Sequence, residues 1–376
     1  MKILFTSTFY PPFHLGGDAL HVKYLADALI KEGHEIHVFT LVDSYRFKKK
    51  DYSNKNIKDN KVIVHRIKTK FFRYQCFRNY TFGSSKKILI EFGRLVKEIK
   101  PDIVHHHNIS LLGWNILKKI GNYKNIYTAH DYWLICPKYD LLREFKECKL
   151  DKNCFFCCFK HKKPYQFFRH FNRFKIALDD LDLVIAPSEF MAKRLKNFKV
   201  KTILNFVSNP KKTNHSKFKN YYLFMGALEH HKGILDLIDL FKETNKKLII
   251  AGSGTLENKI KKKLDKNIFF IGWIEGKKKY SVLKNAKALL LPSKWPENMP
   301  LVALESLSYG VPVFGSNYGG IPEIIEKFKD KPYFTKNNFF RDLKKIEKIR
   351  KKECIEIYKK YFSKEAYLKK YYDAIS

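Results

Sequence analysis

The chain of 376 residues contains no apolar run approaching the roughly 20 residues that cross a bilayer, so no membrane-spanning helix is expected. Its opening, Met1-Lys2-Ile3-Leu4-Phe5-Thr6, is too short an apolar stretch for the core of a signal peptide, and a cytoplasmic protein is expected. Acidic residues are scarce: 37 Asp and Glu stand against 74 Lys and Arg, for a formal net charge of +37. Three sources compete for that surplus: an anionic membrane surface, an acidic or nucleic-acid partner, and a lysine bias of the proteome with no partner at all. The abundance of Lys, Asn, Ile, Phe and Tyr favours bias for much of it, and nucleic acid is not the expected partner. A dinucleotide fingerprint is also missing. Ala251-Gly252-Ser253-Gly254 begins as one, but Glu257 takes the sixth position and no acidic residue follows a clear second strand about 20 residues on, which argues against a nicotinamide cofactor.

Apolar residues make up 45% of the chain, enough for folded cores. At about 150 residues per domain, the length predicts two or three units. Lys2 to Thr6 reads as a strand, and Pro11-Pro12 with Gly16-Gly17 as a tight loop. Ala19, Val22, Leu25, Ala26 and Leu29 then keep helical spacing until Gly33. Glu35 to Thr40 begins a second strand and completes a βαβ unit. Further strands are expected at Val62 to Ile67, Asp102 to His106 and Asn125 to Thr128, with a helix at Lys86 to Ile99. The rhythm resumes at Tyr221, with strands near Leu223, Leu248, Ile268, Leu289 and Val311 and helices at Ile234, Leu256, Tyr280 and Leu304. Such alternation predicts an α/β protein of doubly wound parallel sheets. Residues 205–220 break the periodicity as a linker, and Ser363 is a candidate N-cap for a last helix. The domains are therefore drawn at 1–205 and 206–361, with 362–376 as a closing helix.

The most informative stretch runs Lys294-Trp295-Pro296-Glu297-Asn298-Met299-Pro300-Leu301-Val302-Ala303-Leu304-Glu305. It follows the apolar run Ala288-Leu289-Leu290-Leu291, which reads as a buried parallel strand, and Pro300 suits the first turn of a helix. Glu297 then sits in a loop above the strand's carboxyl end and Glu305 on the helix beside it, at the crevice where open α/β sheets bind ligands. Carboxylates there suit the hydroxyls of a sugar and a ribose, while a helix start offers N–H groups and a positive dipole end to a phosphate. A glutamate pair at this spacing also arises on solvated helix faces; its neighbours give it weight.

Those neighbours are Trp295-Pro296 before the first Glu, Pro300-Leu301-Val302 between the two, and Gly310-Val311-Pro312-Val313 and Gly319-Gly320-Ile321-Pro322-Glu323 after them. Together they resemble the two-glutamate motif of retaining, nucleotide-sugar-dependent glycosyltransferases of family four. The resemblance implies two Rossmann-like domains facing across a cleft, the GT-B arrangement, with the closing helix crossing back onto the first, acceptor-side domain. It implies transfer of a sugar from a nucleoside diphosphate sugar to a hydroxyl of a glycan or lipid-linked acceptor, with retained anomeric configuration and no cofactor required for catalysis. Glu297 is then expected to position the sugar hydroxyls and Glu305 the ribose, while backbone amides of Asn298 and Met299 orient the donor and the helix start through Pro300 and Leu301 faces phosphate.

Three more phrases fit the same family. Gly16-Gly17 and the following Asp18-Ala19-Leu20-His21-Val22 match its donor-facing loop, where glycine lets backbone N–H groups approach a diphosphate. Lys232, in Phe224 to Gly233, matches its phosphate-holding lysine, but Ala227 stands where an arginine is usual and removes one expected positive charge; His230 and His231 are candidates to compensate. Thr128-Ala129-His130-Asp131-Tyr132-Trp133 resembles the phrase on the opposite wall, whose histidine meets the donor sugar, and makes His130 the first-domain site residue. His105-His106-His107 alternates faces of a strand end, so metal binding is not expected there.

Other readings stay open beside this one: a non-catalytic module binding a membrane surface or nucleic acid, and a sugar-nucleotide epimerase of the same architecture. Cys154-x-x-Cys157, with Cys148 and either Cys136 or Cys158, has the ligand types of a tetrahedral structural zinc site, while packing or disulfide roles compete, the latter disfavoured in a cytosolic chain. Aromatic and basic residues interleave at Lys68 to Tyr80 and at Phe159 to Lys175. They suit peripheral contact with an anionic membrane, against the alternative that Phe167, Phe168, Phe171 and Phe174 form the core stripe of one helix.

Overall fold

The computed structural model describes residues 1–48, 61–143, 146–148, 153–210, 212–213 and 218–376. The first half holds strands β1 (Lys2–Ser7), β2 (Glu35–Leu41), β3 (Ile63–Ile67), β4 (Ile103–His106) and β5 (Lys124–Thr128), a short hairpin of β6 (Leu142–Arg143) and β7 (Lys146–Glu147), then β8 (Leu183–Ala186) and β9 (Val200–Thr202). The second half adds β10 (Tyr221–Met225), β11 (Lys247–Ala251), β12 (Ile268–Phe270), β13 (Leu289–Leu291), β14 (Val313–Ser316) and β15 (Tyr333–Phe334). Two sheets result, in the orders β3-β2-β1-β4-β5-β8-β9 and β12-β11-β10-β13-β14-β15. All pairings within them are parallel.

Parallel strands covered on both faces need continuous apolar runs, and Ile3-Leu4-Phe5 and Leu289-Leu290 supply them with no residual exposure. The helix Asp18–Lys31 buries Ala19, Val22, Leu25, Ala26 and Leu29, the residues whose spacing predicts it, and beyond its cap at Glu32 the chain turns at Gly33, with φ +86°. Strand order reverses between β1 and β4 in one sheet and between β10 and β13 in the other. Loops leaving the carboxyl ends of strands beside such a reversal diverge and open a crevice. Residues Gly16 and Gly17 lie beyond β1, Lys232 beyond β10, and Glu297 beyond β13, so topology alone brings the expected site residues to two facing crevices.

The last helix, Lys364–Ile375, starts at Ser363, whose side chain accepts from the Ala366 N–H. Its Tyr367, Leu368, Tyr371 and Ala374 pack into the same core as Ile3, Phe5 and Val22, and Tyr372 hydrogen-bonds His34 at 2.8 Å, so the chain's end is stitched onto the first sheet. Two local expectations are corrected. Residues 167–174 do not form one helix: a single turn, Phe167–His170, is broken at Phe171 (φ −81°, ψ 130°) before helix Asn172–Asp179 begins. Phe168 and Phe174 are buried as a result, while Phe167 and Phe171 face solvent. The strand expected near Val311 begins at Val313, because Gly310, at φ +75°, and Pro312 shape the turn that precedes it.

Candidate active site

Lys232 ends the turn His230–Lys232, and Gly233 follows it at φ +72°. A Cβ at Gly233 would lie 2.0 Å from the Pro292 carbonyl oxygen, so glycine allows the loops beyond β10 and β13 to close on each other. That closure sets Lys232 Nζ 2.5 Å from Glu297 Oε1, with the side chains 20% and 12% exposed. Lys232 also lies 4.8 Å above the Trp295 ring, against whose edge His231 packs. The His231 imidazole is held below its ordinary pKa by burial and then by Lys232, which favours its neutral form. On the far side, Gly319 and Gly320 buttress the Glu297-Asn298 peptide: the Gly320 N–H donates to Glu297 O at 2.6 Å, and a Cβ at Gly320 would fall 1.8 Å from Asn298 O.

Glu305 lies in helix Leu301–Ser308 and is 4% exposed. Its carboxylate meets Lys279 Nζ at 2.5 Å. Pro300 precedes this helix without a side-chain cap, leaving the first N–H groups toward the cleft. Tyr24, from the first domain, and Tyr280 line a cavity with Ser208, Asn209 and Glu305, and the Tyr24 phenol is driven upward first by burial and then by the Glu305 charge. Lys279 and Tyr24 escaped sequence reasoning because neither belongs to a phrase that marks a site.

Across the cleft, Gly17 comes so near the helix start that a Cβ there would be 3.3 Å from Leu301 Cδ1, while Gly16 takes φ +79°. The Asn298 side chain donates to the His130 carbonyl at 2.6 Å, and Asn298 Oδ1 is buried with no hydrogen-bond partner among the described residues. Glu297, Lys232, Asn298 and His130 therefore converge, with Gly17 and Leu301 beside them and Glu305 one turn further along the helix. The Met299 side chain packs in the core, 4% exposed, and the role expected of Met299 is that of its backbone amide.

His130 Nε2 and His107 Nδ1 are 2.9 Å apart, and His107 stacks on His105 at 4.3 Å between ring centroids. Burial pushes the His130 pKa down to about 3 and those of His21, His105 and His107 well down, so the cluster is neutral at physiological pH and His130 serves as a polar contact, not a cation. His106 points to the opposite face, toward Asn125 Oδ1 at 2.9 Å. Beside His130, the Asp131 carboxyl is pushed up to about 7 by burial, partly opposed by the Trp133 N–H, and raised further by Asp18. Asp18 is raised by burial too and accepts from the Asn108 side chain at 2.9 Å. This carboxyl pair at the carboxyl ends of the first sheet was not singled out from the sequence, although Asp131 adjoins His130 in its phrase.

The cysteine segment hangs from the same wall. Arg169 Nη1 donates to the Leu134 carbonyl at 3.2 Å, and its Nη2 donates to the Trp133 carbonyl. The Cys158 thiol is pushed up to about 12 by burial and then by Cys157, Cys136 and Cys154, and the Cys157 thiol is raised by burial, opposed by Lys138 and reinforced by Cys148. Among the described residues no group of three or more His, Cys, Asp or Glu stands at metal-holding range.

Comparison with known proteins identifies the family. A model described as Glycosyltransferase Family 4 matches residues 15–209, and one described as Glycosyl transferases group 1 matches residues 205–369. The chain belongs to the glycosyltransferases these describe. It is 24% identical over 369 residues to the alpha-monoglucosyldiacylglycerol synthase of Streptococcus pneumoniae, covering 88% of this chain and 73% of that protein. Among solved structures, it superposes on sucrose-phosphate synthase of Thermosynechococcus elongatus with TM-score 0.73 at 17% identity, covering 99% and 97% of the chains. It superposes likewise on the catalytic domain of starch synthase IV of Arabidopsis thaliana, bound to ADP and acarbose, with TM-score 0.72 at 14% identity, covering 100% and 98%. These likenesses establish the fold as two facing parallel-sheet α/β domains of the GT-B type.

Proposed function

We propose that the cleft moves a glycosyl group from a nucleoside diphosphate sugar to a hydroxyl of a glycan or glycolipid with retention of anomeric configuration. The observation that carries this reading is the pairing of Glu297 with Lys232, at 2.5 Å, where the loops beyond β10 and β13 meet the His130 wall. A lysine and a carboxylate so placed suit the two parts of one donor, its diphosphate and its sugar hydroxyls. The helix start at Leu301 and the Gly16-Gly17 amides add positive dipole ends for the phosphates. Glu305 and Lys279 sit one turn away, where the ribose of such a donor would lie. ADP in the starch synthase and the glycolipid named for the streptococcal relative support the donor and acceptor classes.

In the proposed reaction the acceptor oxygen forms a bond to the anomeric carbon on the face from which the diphosphate departs. The bond from that carbon to the diphosphate oxygen breaks, and its electron pair stays with the diphosphate. A phosphate oxygen takes the acceptor's proton. Negative charge grows on the leaving group, so fixed donors such as Lys232 and backbone N–H groups lower the barrier without a strong protein base. His130, neutral, would meet the donor sugar from the first-domain wall.

The test is incubation of the chain with UDP-, GDP- and ADP-sugars, following release of the nucleoside diphosphate with and without simple glycosides. Acceptor-stimulated release, with an unchanged anomeric configuration by proton NMR, is expected. An inverted product refutes retention, altered sugar nucleotide without release indicates an epimerase, and no binding of any nucleotide refutes the donor site.

A further inference from the structure

We infer that the first domain docks on an anionic lipid surface through an aromatic face assembled from two distant segments. Phe82 stacks on Phe167 with ring centroids 5.4 Å apart and planes 10° from parallel. Phe167 meets Tyr165 at 5.4 Å, Tyr165 meets Phe155 at 5.3 Å, and Phe155 meets Phe156 at 5.7 Å. A continuous row of rings thus joins the end of helix Phe72–Thr81 to helix Cys154–Lys160 and the turn after it. It is not a core: Phe82, Phe155 and Phe167 are 42–49% exposed, Phe156 is 70% and Phe159 is 79%. At the other end, Phe71, Tyr74 and Phe77 recur every third residue and are 73%, 63% and 49% exposed. Large apolar area left in water in this way marks an interaction surface.

Charge selects the occupant. From Lys61 to Ile90 and from Asn153 to Leu178 no Asp or Glu occurs. Exposed Arg73, Lys160, Lys162, Arg173 and Lys175 are interspersed among the rings. Rings that enter the headgroup boundary and cations that meet anionic headgroups are the two components of an interfacial anchor, and each alone is weak. Two segments free of carboxylates present one sign of charge beside exposed rings, which matches an extended anionic surface with an apolar layer beneath it. The face is also fixed to the cleft. Arg169 ties residues 133 and 134 to the turn Phe167–His170, and Tyr80 donates to the Pro137 carbonyl at 3.0 Å, so a docked surface lies at a set distance from His130. The inference concerns binding alone and stands whether or not the transfer reaction is as proposed.

The full chain is to be sedimented with vesicles of phosphatidylcholine, with and without phosphatidylglycerol. Binding to the anionic vesicles, weakened by salt and absent with phosphatidylcholine alone, is expected. Phe156→Ser/Phe159→Ser and Lys162→Glu/Lys175→Glu should each lower binding about tenfold at unchanged melting temperature, since these side chains face solvent. Lys359→Glu/Lys360→Glu, an equal charge change on exposed residues of the second domain, should bind as the parent does. Equal weakening by both lysine pairs with parent-like binding by the Phe156/Phe159 pair would reduce the effect to net charge and overturn the proposal, as would parent-like binding by every variant or no binding at all. Conversion of a parent dimer to monomer by the Phe156/Phe159 pair would assign the face to a second copy and overturn it as well.

Discussion

Lys232 Nζ and Glu297 Oε1 stand 2.5 Å apart, each the other's counter-charge where two strand-end loops meet. A diphosphate approaching Lys232 therefore competes with Glu297, and a sugar hydroxyl approaching Glu297 competes with Lys232. Both gains come together only when one donor carries both groups.

This competition separates the two residues in a measurement. Lys232→Ala should lower turnover about 10²- to 10³-fold, the usual cost of removing one fixed donor to developing charge, and weaken binding of the nucleoside diphosphate. Glu297→Gln should lower turnover while leaving nucleoside diphosphate affinity equal or higher, because Lys232 is released from its partner. Calorimetric titration with the nucleotide beside steady-state kinetics distinguishes them. Equal loss of affinity in both variants would remove the division of roles.

The second pair lies deeper. Glu305 and Lys279 meet at 2.5 Å with side chains 5% and 20% exposed. Glu305→Gln leaves a half-buried ammonium without its counter-charge and should destabilise the fold by about 2–3 kcal/mol, below the cost of breaking a fully buried pair because Lys279 keeps some water. Glu305→Gln/Lys279→Met should recover most of that loss in denaturant melts yet still bind nucleotide weakly. A double variant no more stable than the single one would show that the pair is not coupled.

How far these sites were legible depends on what local sequence encodes. Continuous apolar strands and the 3.6-residue spacing of helix Lys86–Ile99 are local, and so is the Ser363 cap; all are found where the sequence places them. Strands β8 and β9 were not read from the sequence, and in β9, at the sheet edge, Lys201 interrupts the apolar run. The four phenylalanines from 167 to 174 keep helical spacing, but the backbone break at Phe171 divides them between core and solvent. Glu297 and Lys232, 65 positions apart, were legible only because each sits in a phrase resembling a family. Lys279 carries no such phrase, and Asp18 and Asp131 each lie in one without being marked by it. Their roles come from tertiary packing that brings together β1, β5 and the second-domain helices.

Asp131 supplies a pH prediction. Its folded carboxyl titrates at about 7, above the ordinary value of 3.8, because burial disfavours the charged form. The folded chain thus keeps a proton that the unfolded chain releases, and the associated stability is full below pH 3.8, declines above it, and is lost as pH rises through about 7. Asp131→Asn keeps the oxygen that accepts the Trp133 N–H at 2.9 Å and cannot ionise. The variant should melt above the parent at pH 8, and the gap should narrow steadily toward pH 4. A gap independent of pH would show that Asp131 titrates normally.

The cysteines give the final prediction. Thiols of Cys136, Cys157 and Cys158 are held protonated by burial, up to about 11 for Cys136 and about 12 for Cys158. Five sulfurs gathered in one segment are the soft donors zinc prefers, but binding must drive off their protons, and no group of three or more ligands is at metal-holding range among the described residues. A zinc ion held by Cys148, Cys154, Cys157 and either Cys136 or Cys158 would therefore have to tighten the loop as it binds. On this proposal the protein purified without added zinc carries about one ion per chain, the number that four thiolates hold. Cys154→Ser/Cys157→Ser should lose the metal and expose the loop to protease, while nucleotide binding at Glu297 persists. On the proposed mechanism catalysis rests on Lys232 and backbone dipoles and should survive EDTA. Metal-free protein with these thiols reactive in the folded state would leave the cysteines as packing residues, and loss of turnover in EDTA restored by magnesium or manganese would place a cation at the diphosphate.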